Sequence, residues 1–145
     1  MRSELRLSLV LAPNWEDISS GNPDGPATFA PADSDCDAAL QISIHAEYTG
    51  GVIPDPTPAQ LVTLAERVIE RNGEADIRGR ATGECAIGTY GTVLASTDEA
   101  AWFQIWFLSN GKDFVLASFI SSEEPTDEQA SQASWMVENL QLQRP

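Results

Sequence analysis

Trp102-Phe103-Gln104-Ile105-Trp106-Phe107-Leu108 is apolar on both parities, and Ser109-Asn110-Gly111-Lys112 follows it directly. A strand that alternates leaves one face for water. This one offers Phe103, Ile105 and Phe107 to one side and Trp102, Gln104 and Trp106 to the other, so both of its faces are to be covered. The Asn-Gly pair is a hairpin signal because both residues tolerate positive φ, and Asp113 to Ser121 returns as the next strand. A doubly covered central hairpin needs a layer of structure above it and another below.

The candidate layers lie on either side of the hairpin in sequence. Upstream, Thr57-Pro58-Ala59-Gln60 starts a helix, with Thr57 as N-cap, Pro58 at the first helical position and Gln60 closing a capping box. Its stripe runs Leu61, Leu64, Ala65 and Val68, widened by Val62 and Ile69, and Asn72-Gly73 ends it. Downstream, Thr126 and Gln129 repeat the capping pattern, and a helix to about Leu140 turns Ala130, Ala133, Met136, Val137 and Leu140 inward. Further strands are expected at Leu5 to Leu11, where Pro13-Asn14-Trp15 ends the alternation, at Ala27 to Ala30, and at Ala38 to Ala46. Residues Ala75 to Ser96 read as two strands joined near Gly83, with glycines at Gly88 and Gly91 marking a bulge or a close backbone contact. The expectation is an α+β fold over residues 1–145: an α/β/α sandwich with a mainly antiparallel sheet between two principal helices.

Leu11-Ala12-Pro13-Asn14-Trp15, Gly88-Thr89-Tyr90, the aromatic Asn-Gly hairpin and the closing Trp135 to Leu142 segment together resemble the PsbP-like superfamily. That group comprises PsbP, a eukaryotic Ran-binding nucleotide-release factor, and lipoproteins of the DcrB and LpqN kinds. The resemblance spans nearly the whole chain and implies a sandwich used for binding and assembly; it supplies no catalytic residues. The chain departs from the lipoprotein branches in having no h-region and no lipobox cysteine, and it is expected in the cytoplasm, or in the periplasm if a leader has been removed.

Charge narrows the partners. Eight Lys+Arg stand against 22 Asp+Glu, a formal charge of -14. Phosphate neutralisation, which dominates nucleic-acid affinity, is therefore missing, and anionic membranes are disfavoured for the same reason. A basic protein partner is the complementary class. No stretch approaches the roughly 20 apolar residues of a spanning helix.

The chemistry-bearing residues form no complete set. Cys36, Cys85 and the single His45 are the only material for a thiol nucleophile with a base, and His45 sits on the polar parity of its strand. Asp33, Asp35 and Asp37 occupy the first, third and fifth places of a calcium loop, but Ala38 replaces the required Gly and Ile44 the bidentate Glu. Glu123, Glu124, Asp127 and Glu128 surround a helix start, where carboxylates complement the dipole. Neither cofactor nor metal is expected.

Two places are candidates for binding. Trp102, Gln104 and Trp106 share a parity and line either the core or a groove with Gln104 as its polar reader. Trp135 points away from the buried direction of its helix, towards Glu128, Ser131 and Gln132; it either folds under Ser19 to Asp37 or anchors a partner or a second copy of the chain. The sequence thus supports a non-enzymatic adaptor or immunity-type module, with a small-ligand carrier or minor hydrolase as the alternative.

Overall fold

The computed structural model describes residues 6–18, 27–32, 38–43, 57–71, 73–110 and 114–143. In chain order the elements are β1 (Arg6–Ser8), β2 (Trp15–Asp17), β3 (Ala27–Pro31), β4 (Ala39–Ser43), α1 (Pro58–Arg71), β5 (Asp76–Cys85), β6 (Gly88–Ser96), β7 (Trp102–Ser109), β8 (Phe114–Ser121), α2 (Asp127–Asn139) and β9 (Gln141–Gln143). The hairpin is the middle of the sheet. β7 and β8 pair antiparallel from Trp102↔Ser121 to Ser109↔Phe114, and the seven strands run in the order β2-β3-β4-β8-β7-β6-β5. Every pairing is antiparallel.

The two parities of β7 enter two separate cores. Phe103, Ile105 and Phe107 join Phe114 of β8, Val93 and Ala95 of β6, and Leu61, Leu64, Ala65 and Ile69 of α1. Trp106 and Leu108 join Val115, Ala117, Phe119, Leu40, Ile42 and the buried side of α2, Ala133, Met136 and Val137. The result is helix on sheet on helix, the expected α/β/α sandwich. Both helices start as their sequences dictate. The Thr57 hydroxyl accepts from Gln60 N–H at 3.2 Å while the Gln60 side chain accepts from Thr57 N–H at 2.8 Å, and Thr126 and Gln129 repeat the exchange at 3.0 Å in both directions. In α1 Ile69 is fully buried, while Val68, two turns on from Leu61, packs partly buried against the same cluster.

Gly91 explains how close α1 lies to the sheet. A Cβ at this position would stand 2.5 Å from the backbone nitrogen of Val62 and 2.9 Å from the Pro58 carbonyl oxygen. Helix backbone thus rests on strand backbone, the close contact expected from this pair of glycines.

Three expectations need correction. The joint of the 75–96 hairpin is at Ala86-Ile87, not near Gly83; Gly83 lies inside β5, where its missing side chain makes room for the Tyr90 ring opposite. The long first strand shrinks to β1, which leaves the main sheet and pairs with the C-terminal β9, Leu7 opposite Leu142; beyond it Val10 is 70% exposed. Trp15 does not merely end a strand. It opens β2 and is buried, its ring 5.7 Å from that of Phe119, and its indole N–H donates to Gln132 of α2 at 2.8 Å. Asn14, at φ 65°, makes the turn that sends the chain from β1 into β2.

Candidate functional site

The exposed side of α2 follows from its own periodicity. With Ala133, Met136 and Val137 buried, positions 128, 131, 135 and 138 fall on another face, and Trp135 stands there 45% exposed. Beside it the sheet side is formed by β6 and β7. The space between is an open groove of about 520 Å³, lined on the sheet side by Leu94, Trp102 and Gln104 and on the helix side by Ser131, Trp135 and Glu138 among others. Three of the four residues expected in a binding site, Trp102, Gln104 and Trp135, thus meet in one groove. Trp106 does not join them: only 1% of it is exposed, and it packs among the α2-side core residues.

The polar floor is fixed by a short chain of hydrogen bonds. Gln104 donates its side-chain N–H to the Thr92 hydroxyl at 3.1 Å, and that hydroxyl donates to the Ile105 carbonyl at 2.8 Å. Trp102 has a cation on its ring. The Arg78 guanidinium carbon lies 5.4 Å from the Trp102 centroid, within the distance at which a ring quadrupole attracts a cation. Arg78 also donates to the Glu124 carboxylate at 2.8 Å and to the Ala101 carbonyl at 3.4 Å. It reaches this side because the β5–β6 register slips between Ile77 and Gly79, an irregularity that re-aims the side chain it carries. Sequence reasoning missed Arg78, since nothing in Ile77-Arg78-Gly79 marks where the ladder slips, and read Glu124 only as one of the carboxylates around a helix start.

The nucleophile reading gains nothing from the one thiol described. Cys85 is a free thiol, and burial pushes it above its ordinary value, against hydrogen bonds from the Gly88 and Ile87 backbone and with the Glu138 charge adding to the rise. A raised thiol is a poorer source of thiolate. Tyr90 is likewise raised, by burial first and then by the charge and hydrogen bond of Glu138. Cys36, His45, the Asp33–Asp37 turn and Gly111-Lys112 lie outside the described residues. Among the described residues no group of three or more His, Cys, Asp or Glu is placed to hold a metal ion, and no helix is long and apolar enough to cross a membrane.

A pH profile follows from the charges. Eight basic side chains cannot neutralise 22 carboxylates, and two ion pairs that they form, Arg78–Glu124 and Arg80–Glu66, lie at the surface, where such pairs stabilise little. Lowering pH from 7 to about 5.5 is therefore expected to hold Tm level or raise it as repulsion eases. Raising pH acts with the opposite sign. Cys85 and Tyr90 hold their protons more tightly when folded, so the stability they contribute is complete below their unfolded values and is lost as pH climbs through the folded ones. Calorimetry from pH 5.5 to 10.5 checks both arms; a steady fall between 7 and 5.5 would mean that paired carboxylates dominate.

The fold and groove together define an α+β sandwich with an open, aromatic-walled cleft beside its second helix. No protein-family model and no curated protein matches the sequence. Among solved structures, the chain is similar to the solution structure of cyanobacterial PsbP (CyanoP) from Synechocystis sp. PCC 6803, with a TM-score of 0.55, 13% identity, and coverage of 97% of this chain and 92% of that one. The protein therefore has a PsbP-like fold, as the sequence resemblance implied. At that identity the likeness speaks for fold alone.

Proposed function

We propose that this protein is a non-catalytic binding module that docks a basic protein partner on the α2 side of the sandwich. The observation that carries the reading is Trp135, a large ring left 45% exposed in the wall of a groove that also holds Trp102 and Glu138. Aromatic rings of this kind are the usual anchors of interfaces. Their surroundings select the partner's charge: Asp127 and Glu128 occupy the first turn of α2, Glu138 its last, and the chain carries -14 overall. Acidic fields of this size speed the approach of a basic surface and are screened by salt. A small-ligand carrier is the weaker reading, because the groove is open rather than the largely enclosing pocket that buries a small molecule.

Affinity capture with wild-type and Trp135→Ala baits tests the proposal, followed by reconstitution with the purified captured protein. The expected result is one basic protein held at low salt, released as salt rises, and not held by Trp135→Ala. Sedimentation of both baits alone provides the contrary outcome. A wild-type dimer that becomes monomeric in Trp135→Ala would make the groove a self-association surface and overturn the partner reading, as would capture indifferent to Trp135.

A further inference from the structure

We infer that the Trp102 face, the Glu124 carboxylate and the Ala101 carbonyl form an arginine subsite, which Arg78 of the same chain fills until an arginine of the partner displaces it. The inference rests on the proposed binding of a basic protein and names what that protein must present. Three kinds of group converge on the Arg78 guanidinium: a π-face at 5.4 Å, a carboxylate oxygen at 2.8 Å and a carbonyl oxygen at 3.4 Å. A planar, delocalised cation with a fork of N–H donors uses all three at once, whereas an ammonium on a flexible stem does not stack on a ring in this way. The subsite thus selects arginine over lysine.

Arg78 is suited to be a temporary occupant. Its side chain is 40% exposed and that of Glu124 60%, so solvent and a partner reach both, and an ion pair this exposed is weak. It projects from a register slip in β5, at the end of the sheet, so moving it aside disturbs no core residue. The subsite shares Trp102 with the groove that holds Trp135. A basic segment seated on Trp135 therefore brings its own side chains to the Trp102 ring.

Titration with N-acetyl-arginine amide, followed by NMR on the Trp102 indole N–H, tests this directly. An internal competitor lowers apparent affinity by the fraction of time it leaves the site free, so Arg78→Ala is expected to bind the probe roughly tenfold more tightly than wild type if Arg78 fills the subsite about nine-tenths of the time. Arg78→Gln repeats the measurement with the three-carbon stem kept and the guanidinium removed, in case the alanine variant folds poorly. N-acetyl-lysine amide should gain little in either variant, and adding Glu124→Gln to Arg78→Ala should abolish the gain. Equal affinity in wild type and both Arg78 variants, or an equal gain for lysine, overturns the subsite. If that happens while Trp135→Ala still loses the partner, the module reading stands and only the subsite falls; a tight arginine subsite with no Trp135-dependent partner gives the reverse.

Discussion

Trp106→Ala is expected to cost about 3–5 kcal/mol of unfolding free energy, the range for deleting a large buried aromatic side chain, and to lower Tm by roughly 10 °C or more. Trp106 is 1% exposed, and the cluster around it contains residues of β4, β8 and α2. Its removal leaves a cavity at the junction of sheet and helix that two rigid layers cannot close. Trp135→Ala provides the internal control: it shortens a ring that is 45% exposed on the far side of α2 and should cost about 1 kcal/mol or less. Equilibrium denaturation of the two variants separates them. Equal losses would mean that Trp135 is held by packing, and its assignment to a binding surface would fail.

The contrast between these tryptophans also shows how far the sequence could be read. The strand at 102–109 declared both of its faces, and two capping boxes announced both helices, because each signal is local and period-bound. Parity placed Trp102 and Trp106 on the same face of the sheet, correctly. It could not say how far across that face α2 would lie. Trp106 is buried in the α2-side core, while Trp102 is partly buried and lines the groove beside α2. Arg78 and Trp15 were out of reach for a related reason. The role of Arg78 depends on a register slip against β6, and that of Trp15 on a ring of β8 about a hundred positions away in sequence. The β1–β9 pairing was not legible because β9 is only three residues long, too short a pattern to register as alternation, so nothing marked a partner for the first strand outside the main sheet. Trp135 was the converse case, because helical periodicity alone fixes an outward direction once the inward one is known.

Gly91→Ala should be strongly damaging for a change of one methyl group in the sheet. The added carbon would meet backbone on every near side: Val62 nitrogen at 2.5 Å, and Leu61 carbonyl carbon and Pro58 oxygen at 2.9 Å. None of these is the flexible end of a side chain, so relief requires α1 to lift from β6 at its first turn. That lift would open the core formed by Leu61, Leu64, Val93 and Ile105. Overpacking of this kind costs about 1–3 kcal/mol when neighbours adjust, and here the neighbour that must adjust is a whole helix, which places the expected loss at the upper end. Gly79→Ala is the matched control on the adjoining strand, since a Cβ there meets nothing within 4 Å and φ lies outside the left-handed region. Urea denaturation is expected to show a large fall in midpoint for Gly91→Ala and a small change of either sign for Gly79→Ala. Hydrogen exchange should locate the Gly91 loss in α1, with α2 and the β4–β8 ladder keeping the protection that global stability allows. Similar exchange in α1 of both variants would show that helix and sheet are not in backbone contact at Gly91, and the account of how α1 seats on the sheet would have to be abandoned.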